Sequence, residues 1–306
     1  MEDPLRCLIS DSVARLSAQL EAAAPNMARP VNAWMRALAG GLAPDLYFTH
    51  ALAFPTMFLP WWLEHSLVPE PDAAFQADLA YSCVNGYYFI RMIDNVMDGE
   101  ATVEAKLLPA LAWFHTEFQT AYQTHFEPAH PFWALYRKVW FSTAEAAIQD
   151  AGLETITLEM FELASARKVQ AALIPVAAVC YRNARPDLIA LWSEFVHRFG
   201  KWHQMLNDVF DWHKDSHNGN MTYFLSQAQQ HKRDTETATD WIMRAGLKAA
   251  CETLRQWMRE AQALATSLNS PPLMAYLADR SNQFERRVHD ALTGFAALGK
   301  LALALK

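Results

Sequence analysis

Apolar residues recur at three- and four-residue spacing along almost the whole of this 306-residue chain. The pattern runs through residues 13–20, 73–97, 105–122, 132–148, 155–179, 188–215, 240–268 and 272–305. Such spacing keeps one face of a helix apolar. Sustained two-residue alternation of β-branched side chains is absent, so no sheet is expected. Pro and polar clusters at 68–72, 127–131, 183–187 and 269–272 mark short connections between helices. None has the length or bias of an interdomain linker, and there is no internal repeat or low-complexity tract. Several helices read as about 25–30 residues long and apolar nearly all round, which belongs at the centre of a large bundle. The expectation is all-α: one large helical bundle over residues 1–306.

Composition removes several classes of function. Only 10 residues are Gly, and neither GxGxxG nor GxxxxGK[ST] occurs, which excludes the usual dinucleotide and P-loop sites. A net charge of −7, with no basic run longer than two residues, argues against nucleic acid as a partner. Cys7, Cys83, Cys180 and Cys251 are scattered without metal-type spacing and read as buried free thiols of a reducing compartment. The N-terminus shows no basic region followed by an apolar stretch, so no signal peptide is expected. The apolar stretches 51–63, broken by Pro55 and Pro60, and 291–306 fall short of the ~20 residues a membrane-spanning helix needs. A cytoplasmic protein with no integral membrane segment follows as the expectation.

One helical stretch carries chemistry. Asn207, Asp211 and Asp215 stand at i, i+4 and i+8, a spacing that stacks three oxygen ligands along one helix face. Lys214 stands beside the last of them, while Asp208 lies about 100° off that face and reads as a neighbour. Hard oxygens in a row with a cation alongside suit Mg²⁺ and a phosphate-bearing ligand. Far upstream, Asp94 and Asp98 repeat the i, i+4 carboxylate spacing. A solvated acidic face is the plainer reading of such a pair, but these two follow the apolar run 84–93, where uncompensated acids are costly. His213 and His217 are also i, i+4, but no further ligand accompanies them, so zinc is disfavoured. Asn220-Met221-Thr222 matches a glycosylation acceptor and, without a secretion signal, reads as accidental.

The second motif resembles that of the class I terpene synthases, Asn/Asp-Asp-x-x-Ser/Thr-x-x-x-Glu, often with Lys before the final acid. Asn207-Asp208 opens it here, Asp211 takes the Ser/Thr place, Lys214 is the Lys, and Asp215 replaces Glu. Read from Gln204, the same stretch is similar to Gln-x-x-Asp-Asp-x-x-Asp of the trans-prenyl diphosphate synthases. Asp94-x-x-x-Asp98 resembles the first Asp-rich motif in the form used by squalene and phytoene synthases. Arg167-Lys168, about 40 residues before Asn207, lies where terpene synthases place a diphosphate-sensing Arg and prenyl synthases a Lys. Arg286-Arg287, about 80 residues after Asn207, lies where the terpene synthase Arg-Tyr pair is expected, with Val288 in place of the Tyr. The chain is thus similar to the isoprenoid synthase superfamily, in motifs whose order spans Asp94 to Arg287.

That resemblance implies a bundle of the class I isoprenoid synthase type with a central apolar cavity, and a Mg²⁺-dependent enzyme, with three ions, that ionises an allylic prenyl diphosphate and cyclises or rearranges the carbocation. Asp94, Asp98, Asn207, Asp211 and Asp215 would be catalytic metal ligands. Arg167 or Lys168, together with Lys214 and Arg287, would bind the substrate's diphosphate. Chain-elongating synthases hold isopentenyl diphosphate with an Arg-Arg pair after the first motif, and none follows Asp98. Prenyl transfer to a second molecule, including head-to-head coupling, is the enzymatic alternative. A catalytically inactive bundle acting as a partner subunit is the other. Dimers are common in the superfamily, so a homodimer is implied too.

Overall fold

The computed structural model describes residues 3–50, 53–97, 105–150 and 155–304. Among the described residues thirteen α-helices follow one another and no strand occurs. They are α1 (Asp3–Ala23), α2 (Pro25–Leu38), α3 (Phe58–Leu67), α4 (Ala73–Met97), α5 (Ala110–Gln123), α6 (Pro131–Asp150), α7 (Leu158–Lys168), α8 (Leu173–Arg182), α9 (Ile189–Asn218), α10 (Tyr223–His231), α11 (Ala238–Trp241), α12 (Leu247–Ser267) and α13 (Pro271–Ala304). The all-α expectation holds. The chain clusters into two compact units, one of Met1–Phe141 with Ala172–Ile189, the other of Ser142–Ala171 with Ala190–Lys306.

In the first unit, α4 is the central helix, with α1 and α5 against it. Asp72 starts α4 by accepting the amides of Ala74 and Phe75, which satisfies donors a helix start leaves orphaned. Those amides, with Arg182 paired to the same carboxylate, lower the Asp72 pKa. Gly86 lets α5 approach closely: a Cβ there would lie 2.8 Å from the Phe118 ring. Phe118 continues into a wall of Tyr122, Phe132, Tyr136 and Trp140 between α5 and the start of α6.

In the second unit, α9 is the central helix. Trp192, Phe195, Phe199 and Trp202 are fully buried along it, each ring against the next. Burial of that kind is worth roughly 1.5–3 kcal/mol per side chain. Helix α12 runs antiparallel to α9, with Lys201 over Trp257 at 4.3 Å and Arg198 pairing Glu260. Helix α13 runs parallel to α9: Phe199 meets Tyr276, His203 meets Arg280 and Phe210 meets Arg287, all at one offset of 77 residues. Gly219, with φ of 75°, closes α9. The amide of Asn220 bonds the Asp215 carbonyl at 2.9 Å and that of Gly219 the Ser216 carbonyl at 3.4 Å. This is the paired closure a left-handed residue permits.

Three sequence expectations need correction. The stretch 155–179 is two helices, because α7 ends at Lys168 and a 3₁₀ turn fills Gln170–Ala172. Pro175 supplies the reason: it has no amide for the carbonyl of residue 171, and its ring crowds that carbonyl. The whole of Leu158–Arg182 is nevertheless long and apolar enough to cross a membrane, a stretch the composition reading overlooked. A little over half of its most apolar window is buried inside the protein, as in a core helix. Finally, all four cysteines are free thiols, but Cys7 is exposed while the other three are buried.

Candidate active site

Helix α9 builds the clearest part of the site. His203, Asn207, Asp211 and Asp215 follow at four-residue steps, and each step turns the stripe by about 40°. It therefore begins against α13 and rotates outward. Asn207 and Asp215 are half-buried, and Asp211 is exposed. Asp211 makes no hydrogen bond or ion pair among the described residues, so its oxygens are available. Asp215 lies in the last turn of α9, where the helix carbonyls disfavour an anion unless a cation stands near. Carboxamide and carboxylate oxygens at one-turn intervals are the donors Mg²⁺ takes, so this stripe fits that ion. Among the described residues no three His, Cys, Asp or Glu side chains share a metal-sized site, although the stripe offers an amide oxygen beside its carboxylates.

Asp208 is off the stripe, as expected. It is 3% exposed and accepts a hydrogen bond from Gln204 Nε2 at 2.9 Å. Gln204 thus stabilises a buried carboxylate that flanks the outer part of the stripe.

Arg287 comes to this stripe across the α9–α13 seam. Its guanidinium carbon lies 4.5 Å from the centre of the Phe210 ring, one residue before Asp211. Arg286 is exposed. Lys214 is exposed one turn beyond Phe210, so both cations stand on the α13 side of the acids. Arg167 and Lys168 are the half-buried last residues of α7. The Arg167 carbonyl accepts the Thr143 hydroxyl at 3.2 Å. Their neighbour Val169 packs on Gly200 of α9, where a Cβ would come within 2.2 Å of Val169 Cγ2. Gly200 lies seven residues before Asn207, about 10 Å along the axis. The end of α7 is therefore two turns from the stripe, toward the start of α9.

Asp94 is half-buried in the last turn of α4, three residues after Arg91. Asp98 lies outside the described residues. Tyr87, two turns before Asp94, bonds Tyr47 hydroxyl to hydroxyl at 3.2 Å. Burial first, then Tyr47 and Asp94, raise its pKa, while Arg91 opposes them.

Two residues of this region were missed in the sequence. Arg280 is 1% exposed, with Nη2 3.5 Å from His203 Nδ1 and its guanidinium 5.3 Å from the Trp202 ring centre. Burial and the Arg280 cation push the His203 pKa down to about 3, so the imidazole is neutral. Nothing local distinguishes Arg280 on a polar stretch of α13; only the seam with α9 does.

The chain superposes on octaprenyl pyrophosphate synthase from Helicobacter pylori with a TM-score of 0.65, over 91% of this chain and 99% of that one. The isoprenoid synthase fold is shown. At 11% sequence identity the likeness is one of fold alone. No protein-family model matches the sequence, and no curated protein is significantly similar to it. The isoprenoid synthase resemblance of the motifs therefore agrees with the backbone they stand on.

Proposed function

We propose that this chain is a Mg²⁺-dependent isoprenoid synthase that cleaves the carbon–oxygen bond of an allylic prenyl diphosphate and releases diphosphate. The observation that carries the proposal is the stripe Asn207–Asp211–Asp215 with Arg287 and Lys214 along its α13 side, on an isoprenoid synthase fold. Asp94, Asp98, Asn207, Asp211 and Asp215 would hold Mg²⁺, which supplies positive charge to the departing diphosphate. Arg287 and Lys214 would take diphosphate oxygens by charge-assisted hydrogen bonds. Arg167 and Lys168 would do the same from the end of α7. Apolar and aromatic walls would keep water from the allylic cation, since water quenches it.

Two fates of that cation are open to such a site. Cyclisation or rearrangement within one substrate is the first reading, because no Arg-Arg pair follows Asp98 to hold isopentenyl diphosphate. Transfer to a second substrate is the other. It is favoured by the fold neighbour's being a synthase of octaprenyl pyrophosphate.

The test is incubation of the purified protein with geranyl, farnesyl and geranylgeranyl diphosphates and Mg²⁺, with and without isopentenyl diphosphate. Pyrophosphate and hydrocarbon products are followed together, and Asp211→Ala is the control. Pyrophosphate with a cyclic product from one substrate, lost in the variant, supports cyclisation. Product that requires isopentenyl diphosphate supports transfer. No release under any pairing would sink the enzymatic reading and leave a non-catalytic partner subunit.

A further inference from the structure

Phe284 of α13 fills the space between Trp202 and Phe210 of α9, at 6.2 and 6.4 Å from the two ring centres. Such apolar contacts are non-directional, so the ring by itself does not fix where along α9 the second helix stands. Arg255 and Glu285 tie α13 to α12, but both are more than a third exposed, where an ion pair contributes little. One turn before Phe284 stands Arg280, only 1% exposed. Its donors are engaged: Nη1 lies 3.5 Å from Gln283 Oε1, Nη2 lies 3.5 Å from His203 Nδ1, and the guanidinium faces the Trp202 ring at 5.3 Å. Burial and the cation of Arg287 both oppose that charge and lower its pKa. A cation kept inside the seam against such opposition adds little net stability, and the best-attested use of a group of this kind is to set register.

We infer that Arg280 is a positioning residue: it fixes the register of α13 on α9, and through it the place of Arg287 beside Asp211. A slip of one residue moves α13 by 1.5 Å along the seam. Ring contacts tolerate that movement. The buried guanidinium does not, because it would lose His203 and keep its charge out of water. His203 is held neutral and so accepts from Arg280 without repelling it. Arg287 follows two turns later on the same face, over the Phe210 ring at 4.5 Å. Beyond Val288 none of residues 289–293 is buried. The place of Arg287 is therefore set from upstream, where Tyr276 meets Phe199 and Arg280 meets His203 at the same offset of 77 residues.

The consequence for binding rests on Arg287 taking diphosphate, and the test separates the two. Inorganic pyrophosphate is titrated calorimetrically into the full chain with Mg²⁺, for wild type, Arg280→Met, Arg287→Gln and the double variant. Circular dichroism checks that each folds. Arg280→Met keeps apolar bulk against Trp202 and removes the charge with its directional contacts. It is expected to weaken pyrophosphate binding about threefold or more, and to add no further loss in the Arg287→Gln background. A merely structural role would weaken binding in both backgrounds alike. The register is read separately, as the distance between nitroxide labels on Ala190→Cys of α9 and Asp290→Cys of α13, both exposed positions, with the exposed Cys7 changed to Ser. That distance is expected to shift or broaden in Arg280→Met. If Arg280→Met does not fold, Arg280→Lys replaces it in every arm, since it loses the forked donor and keeps the charge. Wild-type pyrophosphate affinity in the Arg280 variant, equal weakening in both backgrounds, or an unchanged distance distribution would each overturn the inference and leave the diphosphate reading intact. Wild-type affinity in Arg287→Gln, or no binding to wild type, would overturn the diphosphate reading, and the distance measurement would still decide the register.

Discussion

The guanidinium carbon of Arg287 stands 4.5 Å above the Phe210 ring, one residue before Asp211 on the neighbouring helix. The ring fixes where the cation lies relative to the acid stripe, and a half-exposed contact of this kind is worth about 0.5–1 kcal/mol. Phe210→Leu keeps apolar bulk but removes the ring face. Pyrophosphate release from the accepted allylic diphosphate should fall about two- to fivefold, the kinetic equivalent of that energy. Arg287→Lys should fall further, because it loses the forked donor as well. Steady-state rates of the two variants check this, and an unchanged rate in Phe210→Leu would remove the ring from the account.

Asp211 separates binding from stability. It is exposed and has no intramolecular partner among the described residues, so Asp211→Ala should change the unfolding free energy by no more than about 0.5 kcal/mol. A ligand bound by the folded state raises the melting temperature by mass action. Mg²⁺ with pyrophosphate should therefore raise the wild-type Tm and raise that of Asp211→Ala much less. Chelation by EDTA should abolish pyrophosphate release by wild type. An equal Tm rise in the variant would exclude Asp211 from the metal set.

The fold was legible where local pattern and tertiary need agree. Helix α4 occupies 73–97, as the apolar spacing predicts, and α9 departs from its expected span by a few residues at its end. Helices α2 and α3 were not foreseen; Pro55 and Pro60 read as breaks in the apolar stretch where α3 stands. Pro60 falls in the first turn of α3, where amides have no helical partner and Pro costs little. Helix α10 is only nine residues long and polar, too short for periodicity to show; Thr222 caps it by accepting the Leu225 amide. At the site, Asn207, Asp211 and Asp215 were legible because a helix repeats locally. Arg280 was not, because its meaning comes from the constant offset between α9 and α13, which no local pattern encodes.

Gly200 should prove necessary for the packing of the α7 end on α9. A Cβ there would sit 2.2 Å from Val169 Cγ2, and Val is stiff about its first torsion. Overpacking of this sort costs about 1–3 kcal/mol, against a helix-propensity gain of about 0.5–1 kcal/mol for Ala over Gly. Gly200→Ala should thus be destabilising. Adding Val169→Ala should recover stability relative to Gly200→Ala alone, because the clash disappears and the propensity gain stays. Denaturant unfolding of the two single variants and the double variant decides it. Strictly additive losses would mean that Val169 is not what Gly200 makes room for.

His203 should make the native state sensitive to acid well above the carboxylate range. In the unfolded chain the imidazole titrates near its ordinary value of about 6.5, but in the folded protein burial and Arg280 hold it down to about 3. Between those values the unfolded chain binds a proton that the native protein refuses. Stability contributed by neutral His203 is therefore complete above about pH 6.5 and falls as pH drops toward 3, by up to about 1.4 kcal/mol per unit. His197 and His115, also lowered by burial, act in the same direction. His203→Gln keeps a polar side chain able to accept from Arg280 and removes the titration. Denaturant unfolding at pH 7 and pH 5 should show a clear loss for wild type, and the loss should be smaller in His203→Gln by about 1–2 kcal/mol. An identical pH slope in the two proteins would mean that His203 takes its proton in the folded state as easily as in the unfolded one, and that Arg280 does not press on it.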